Sequence, residues 1–161
     1  EFAQGAEWSE AHGPDWWLLD PAYGAEADHR GVRDLVRDLN TLYTATPALW
    51  QRDTDPSGFQ WITSDAADDN VFAYLRLDAA GDPLLAVCHL SPVVRHDYRV
   101  GVPDTVAGWR EVLNTDAERY GGSGVTTGSG TLTPRPRGAH GRPASLRLTL
   151  PPLATVWLRP A

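Results

Sequence analysis

The carboxylates in the first twenty residues are of a type that can act on sugars. Glu7, Glu10, Asp15 and Asp20 could supply an acid and base pair, or hydrogen-bond acceptors for hydroxyl groups. Acidic residues are also common in loops, and the sequence does not give the distance between two carboxyl groups. We therefore expect contacts with the substrate from Glu7 and Glu10, and we assign no catalytic residue in this chain.

Tryptophans lie among these carboxylates. Trp8, Trp16 and Trp17 each carry a flat apolar ring that can stack on a sugar. The alternative is that they anchor the loop to the body of the domain. The chain has seven Trp residues, and their number alone favours packing in the core as the usual role. The residues predicted to contact substrate are Glu7, Trp8, Glu10 and Trp16.

The remaining motifs point to no other chemistry. The glycine-rich segment 121–130 lacks the Gly-Lys-Ser/Thr ending of a phosphate-binding loop, so we interpret it as a flexible connection. The His residues have no metal-ligand spacing, and no Gly-x-Ser-x-Gly motif occurs. We expect no metal and no cofactor.

The charge and composition restrict the partners. A net charge of −7 and a pI near 5.1 argue against nucleic acid and anionic membranes as partners. All 14 basic residues are Arg, which is typical of a GC-rich genome. Cys88 is the only cysteine, so no internal disulfide is possible. No stretch approaches the roughly 18 apolar residues of a membrane helix, and we expect a cytoplasmic protein.

One helix and a series of strands would position these residues. Residues 1–28 are interpreted as a long loop, and an apolar stripe at helical spacing predicts a helix over 29–45. Asp28 is the expected amino-terminal cap, and Pro47 ends the helix. The stripe requires a large partner, and little in the first 28 residues could cover it. The stripe residues are Val32, Leu35, Val36, Leu39, Leu42 and Tyr43.

After residue 57 the apolar residues alternate, which predicts short strands. The turn at 78–83 joins two of them into a hairpin, and the set indicates an antiparallel sandwich. The domain boundary is expected near residues 50–57. The first ten residues do not resemble the start of a protein, so we expect the chain to begin inside a larger fold. The predicted strands cover 59–62, 71–77, 84–90, 109–113, 146–150 and 154–158.

Several strings together are similar to one family. The chain resembles the carboxy-terminal portion of bacterial 1,4-α-glucan (glycogen) branching enzymes, members of the α-amylase superfamily, and the likeness spans nearly all of it. The strings are EFAQGAEW at 1–8, DWWLL at 15–19, GVRDLVRDLNTLY at 31–43, RHDYRVGVP at 95–103, WREVLNTD at 109–116, YGGSG at 120–124 and HGRPASLRLTLPPLATVWL at 140–158.

The resemblance implies a fold and an activity. It implies a mainly β chain, in which residues 1–55 end a catalytic (β/α)₈ barrel and residues 56–161 form an antiparallel β-sandwich. The family makes α-1,6 branches in glycogen by retaining glycosyl transfer, with an Asp nucleophile, a Glu acid and a further Asp. The resemblance places all three before Glu1, so the chain alone should be inactive.

The resemblance also implies partners. They are an α-1,4-glucan or glycogen and the upstream barrel of the same protein, and Trp8 is expected near the catalytic centre. Two alternatives stay open for the sandwich. It is either a carbohydrate-binding module or a purely structural support in another α-amylase-superfamily enzyme.

Overall fold

The computed structural model describes residues 2–161, which form one long helix and seven strands. The chain is therefore mainly β, as the sequence predicts. The helix, α1, spans Glu26–Ala45. The strands are β1 Phe59–Ala66, β2 Val71–Leu77, β3 Pro83–His89, β4 Arg95–Val102, β5 Trp109–Asn114, β6 Ala144–Leu150 and β7 Ala154–Pro160.

The strands form two antiparallel sheets that enclose one core. The larger sheet has five strands in the order β1-β2-β3-β7-β5, and the smaller pairs β4 with β6. Apolar residues from both sheets share one buried cluster, with Leu75 and Leu85 from the large sheet and Val100 and Leu146 from the small one. The predicted antiparallel sandwich is confirmed.

The alternation of residue types explains the hairpin of β2 and β3. Val71, Ala73 and Leu75 are buried in the core, while the residues between them lie on the other face. The Asp78 carboxylate accepts hydrogen bonds from the backbone N–H groups of Ala80 and Asp82, at 2.9 and 2.8 Å. The turn therefore fixes the register that places these three residues inward.

The start of α1 differs from the prediction. The helix begins at Glu26, its cap is Ala25 without a side-chain hydrogen bond, and Asp28 lies in the first turn. Asp28 as a cap was wrong. Asp28 and Glu26 instead place negative charge where the helix dipole is positive, which gives this helix end its polar support. The preceding segment also contains two short 3₁₀ helices, Trp16–Leu19 and Pro21–Tyr23.

The helix rests on the sandwich through a close contact. Gly31 is its one buried residue, and a Cβ built there would lie 2.5 Å from the carbonyl oxygen of Tyr120. The Tyr120 hydroxyl donates a 2.7 Å hydrogen bond to the Asp38 carboxylate, two turns further along. Gly31 and Asp38 therefore define the face of α1 that meets the sandwich.

The rest of the apolar stripe has no comparable cover. Val32, Val36 and Leu39 are only half-buried, and Tyr43 is 46% exposed. With 3.6 residues per turn, these four lie to one side of the line through Gly31 and Asp38. Within residues 2–161, no segment buries this side of the helix.

Two expectations about the sandwich were wrong. Strand β4 was missed, because a bulge at Asp97, which has φ 56°, breaks the alternation between Arg95 and Tyr98. The glycine-rich segment is not a free connection over its first half. The Asp116 carboxylate accepts hydrogen bonds from the N–H and hydroxyl of Ser123, at 2.9 and 2.5 Å.

The expectation that most tryptophans pack in the core was also wrong. Trp109 is fully buried, whereas five of the seven are more than 40% exposed. Most indole rings therefore point away from the core.

Over residues 2–161, no helix is long and apolar enough to cross a bilayer.

Candidate functional site

The loop that carries the predicted site residues is held at both ends by aromatic contacts. Phe2 is buried, and Trp16 stacks on it with ring centroids 5.3 Å apart. The carbonyl oxygen of Phe2 also accepts a 2.8 Å hydrogen bond from His29 Nδ1 on α1. Trp16 therefore covers a buried ring, although 63% of its own surface stays exposed.

A second aromatic contact fixes the middle of the segment. Trp17 meets Tyr23 edge to face at 4.8 Å, and Tyr23 lies 5.8 Å from His29. Arg30 on α1 donates a 2.6 Å hydrogen bond to the carbonyl oxygen of Leu19. The alternative hypothesis, that a tryptophan anchors the loop, therefore fits Trp17 well.

Between these anchors the loop encloses a depression of about 360 Å³, which we call the loop depression. The Gln4 side-chain oxygen accepts a 3.2 Å hydrogen bond from the Asp15 N–H and so ties the two sides together. The residues that line the depression are Gln4, Ala6, Glu7, Trp8, Ser9, His12, Gly13, Pro14 and Asp15.

The loop depression has the chemistry that sugars require. Trp8 is 85% exposed and presents a flat apolar face without burying it against this chain. Glu7, His12 and Asp15 line the same space and bring two carboxylates and an imidazole to its surroundings. A sugar ring needs an apolar surface for its C–H face and acceptors for its hydroxyls, and this arrangement offers both.

The structure brings together only part of the predicted set. Glu7 and Trp8 both line the loop depression, whereas Glu10 is exposed outside it and Trp16 covers Phe2. Gln4 and His12 were not singled out from the sequence. The residues that line the depression follow no periodic spacing in the sequence. Only the folded path of the loop shows that Gln4 and His12 line the same space as Glu7 and Trp8.

A second aromatic group lies on the outer face of the large sheet, and we call it the aromatic strip. Its members are Phe59 and Trp61 on β1 and Phe72 and Tyr74 on β2. Trp61 is 53% exposed, with its ring centroid 4.9 Å from that of Phe59 and 6.0 Å from that of Tyr74. Sequence reasoning missed the strip. The signal was a pair of aromatic residues two positions apart on each strand, on the face away from the core.

A buried tyrosine and a carboxylate shift each other's pKa at a place away from both aromatic groups. Burial and the hydrogen bond to Asp38 raise the pKa of Tyr120 to about 12, and the same hydrogen bond lowers the pKa of Asp38. Arg119 contributes an ion pair with Asp38 at 3.5 Å. These residues join α1 to the sandwich. Among residues 2–161, no three His, Cys, Asp or Glu side chains form a group that could hold a metal ion.

Comparisons with known proteins agree with this architecture. Residues 61–161 match the family model of the alpha amylase C-terminal all-beta domain. The 1,4-alpha-glucan branching enzyme GlgB 1 of Streptomyces avermitilis is 73% identical over 161 residues, which is 100% of this chain and 19% of its own length.

Two further relatives carry the same printed function. The branching enzyme GlgB of Kitasatospora aureofaciens is 66% identical over 99% of this chain and 21% of its own length. That of Cereibacter sphaeroides is 50% identical over 100% of this chain and 21% of its own length. The chain therefore spans about a fifth of the length of the curated relatives it matches.

Proposed function

The chain belongs to the family of the alpha amylase C-terminal all-beta domain, and we propose that the whole protein is a 1,4-α-glucan branching enzyme. It forms α-1,6 branches in glycogen by retaining glycosyl transfer in the cytoplasm. The observation that carries this proposal is the likeness to branching enzymes along the whole chain, at 73% identity to one of them.

In this proposal the chain itself does not break or form the glycosidic bond. The nucleophile, the acid and the third carboxylate lie in an upstream (β/α)₈ barrel. Residues 1–55 complete that barrel, and residues 56–161 form the sandwich beside it. Active sites of such barrels lie at the carboxyl ends of the strands, where the loop after the last strand also lies.

The loop depression is the part of this chain that meets the glucan. Trp8 stacks on a glucose ring, and Glu7 accepts hydrogen bonds from its hydroxyls. Support comes from the exposure of Trp8, at 85%, in a loop that is otherwise anchored through Phe2 and Trp16. Glu10 and Trp16 lie outside the depression. In this proposal they contact the parts of a longer glucan that extend beyond it.

The uncovered side of α1 is the surface on which the upstream barrel packs. Burying a side chain of this size stabilises a fold by about 1.5–3 kcal/mol. Four such residues lie side by side there, and residues 2–161 cover them only in part: Val32, Val36, Leu39 and Tyr43. An eighth barrel helix would bury this side against the strands of its own barrel.

The reaction class is tested by following amylose with the full-length protein. Transfer moves a chain from one glucan to another, so the number of reducing ends stays constant while the iodine absorbance of the long chains falls. Hydrolysis would raise the number of reducing ends in proportion to the cuts. An increase in the number of reducing ends would show that the protein hydrolyses amylose, as an amylase does. It would contradict the proposed branching activity.

The aromatic strip supports a second role for the sandwich, as a carbohydrate-binding surface. Trp61 and Phe59 meet edge to face on β1, and the exposed Trp61 ring offers an apolar surface on which a sugar ring could stack. Titration with maltoheptaose tests this role. Loss of binding in Trp61→Ala but not in Trp50→Ala, which replaces an exposed tryptophan outside the strip, would support it. Equal binding in both variants would leave the sandwich a structural support.

A further inference from the structure

Four arginines gather on the outer face of the small sheet, and we call them the arginine cluster. Arg99 on β4 and Arg147 on β6 are direct register partners. Arg135 forms an isolated bridge with Ser145 on β6, with backbone hydrogen bonds of 2.9 and 3.1 Å. Arg137 follows two residues later, and its carbonyl oxygen accepts a hydrogen bond from the Ser145 hydroxyl at 2.5 Å.

The strand register shows that Arg99 and Arg147 lie on the same side of the sheet. Val100 and Leu146 are also register partners, and both are buried in the core. Side chains alternate between the two faces of a strand, so the neighbouring arginines point away from the core. Arg135 lies beside Ser145, which is on the same outer face.

Few carboxylates neutralise the positive charge of the arginine cluster. Arg147 pairs with Asp97 at 3.0 Å, but within residues 2–161 no carboxylate lies at ion-pair distance from Arg99, Arg135 or Arg137. Desolvation, together with the charges of the three other arginines, lowers the pKa of Arg99. Like charges directly opposite in a sheet destabilise it. The chain as a whole carries −7, so this concentration of positive charge is local.

A concave surface adjoins the cluster. It encloses about 470 Å³, and Arg135 and Arg147 stand on its walls. Thr131 and Thr133 line the same depression and add hydroxyl donors. A guanidinium presents its N–H groups in a planar fork that matches the oxygens of a phosphoryl group.

We propose that the arginine cluster binds a phosphoryl group, carried by inorganic phosphate or by a sugar phosphate. Arg135 and Arg147 donate to its oxygens from the walls of the depression, and Arg99 and Arg137 add positive charge beside them. The bound anion offsets the repulsion among the four guanidinium groups. The proposal is independent of the branching activity, because it uses neither the loop depression nor the aromatic strip.

Calorimetric titration of the full-length protein tests the site with inorganic phosphate, glucose 6-phosphate and, as a neutral probe, glucose. We expect saturable binding of both phosphates and none of glucose at the cluster. If glucose 6-phosphate binds more tightly than phosphate, the sugar is also recognised. Equal affinities identify the phosphoryl group alone as the ligand. The absence of saturable binding by either phosphate overturns the proposal.

Three variants locate the binding. The double variant R135Q/R147Q should weaken phosphate binding at least about tenfold, because it removes charge-assisted hydrogen bonds. R110Q/R159Q removes the same charge from another directly opposed arginine pair, on β5 and β7, and should leave the affinity unchanged. Equal weakening in both double variants would show that net charge attracts phosphate, and the cluster would not be a site.

The third variant should increase the affinity for phosphate. Asp97→Asn removes the carboxylate that competes for Arg147, so phosphate should bind more tightly. Asn tolerates the positive φ of 56° at this position, so the variant should fold. An affinity that stays the same or falls in Asp97→Asn would contradict the assignment of Arg147 as a donor.

Discussion

At the scale of single residues, exposure separates the tryptophans that can meet a substrate from those that hold the loop. Trp8 is 85% exposed and lines the loop depression, whereas Trp16 and Trp17 each contact another aromatic ring. A residue with no packing partner in its own chain contributes little to the stability of that chain. Its apolar ring is then available to a ligand or to the proposed upstream barrel.

Replacing Trp8 by Ala should therefore lower kcat/KM for amylose with little effect on stability. We expect the free energy of unfolding of the full-length protein to change by less than about 0.5 kcal/mol, as for other surface substitutions. The fall in kcat/KM reports a contact with the glucan. Steady-state kinetics and thermal melting of the variant give both quantities.

Trp17→Ala is the matched control, because Trp17 is exposed but lies outside the loop depression. It should lose stability through its contact with Tyr23 and keep kcat/KM. If Trp8→Ala instead loses about 3–5 kcal/mol of stability while its folded fraction turns over normally, Trp8 is a packing residue. The contact with glucan would then be excluded.

At the scale of elements, the joint between α1 and the sandwich depends on one glycine and one buried hydroxyl. Gly31 lets the helix approach the Tyr120 backbone, and the Tyr120 hydroxyl bonds to Asp38 at 2.7 Å. The two contacts lie on one face of the helix and fix its position. The loop that contains the depression is joined to α1 by hydrogen bonds from His29 and Arg30 to the carbonyl oxygens of Phe2 and Leu19.

Gly31→Ala should destabilise the protein even though Ala is the better helix former. The new Cβ would lie 2.5 Å from the Tyr120 carbonyl oxygen and 2.7 Å from its carbon, so backbone must move. We expect a loss of about 1–3 kcal/mol, which exceeds the gain in helix propensity of about 1 kcal/mol.

The control for this prediction is Asn40→Ala in the same helix. Asn40 is exposed, so only propensity changes, and the variant should be about 0.5 kcal/mol more stable. Urea denaturation of both variants measures the difference. A stabilising Gly31→Ala would show that α1 does not approach the sandwich this closely.

Tyr120→Phe should lower stability in a manner that depends on pH. The pKa of Tyr120 is raised to about 12, so its hydroxyl contributes stability below its ordinary pKa of 10.0 and loses that contribution as the pH rises toward 12. The hydrogen bond to a carboxylate stabilises the protein by about 1.5–3 kcal/mol near neutral pH.

The same hydrogen bond predicts a change in acid. It lowers the pKa of Asp38 below 3.8, so its contribution is present above pH 3.8 and is lost as the pH falls through the lower value. The free energies of unfolding of wild type and Tyr120→Phe should therefore differ most between pH 3.8 and pH 10.0, the ordinary pKa values of the two groups. Tyr43→Phe changes an exposed hydroxyl on the same helix and should match wild type throughout. A difference that does not change with pH would contradict the Tyr120–Asp38 bond.

The elements also show what the sequence could predict. The hairpin of β2 and β3 was predicted within one residue at each end, because alternation and a turn signal are both local. Strand β4 was missed since the bulge at Asp97 interrupts the alternation. The aromatic strip depends on the register of β1 against β2. The loop depression depends on the folded path of a segment whose sequence has no periodic pattern. Local sequence patterns therefore predict neither feature.

At the scale of the whole molecule, the chain has a complete core in the sandwich and an unburied side on its helix. The sandwich buries apolar residues from both sheets, whereas Val32, Val36 and Leu39 on α1 are only half-buried. Adjacent apolar side chains of this kind promote association. This is the surface on which the proposed upstream barrel would pack.

The isolated 161-residue chain should consequently associate at high concentration. Replacing Val36 and Leu39 together by Gln should shift it toward the monomer, because both lie on the uncovered side of α1. Asn40→Gln, on the exposed part of the same helix, should leave association unchanged. Sedimentation velocity distinguishes the species. A monomeric wild-type chain at every concentration would contradict the role of this surface.

The most direct test of the proposed function counts α-1,6 linkages by ¹H NMR after incubation with amylose. The full-length protein should produce a new α-1,6 anomeric signal, because the proposed upstream barrel would carry the catalytic carboxylates. The isolated chain should produce none, because it contributes the loop and the sandwich but no nucleophile. A full-length protein that leaves amylose unbranched, or an isolated chain that branches it, would contradict the account.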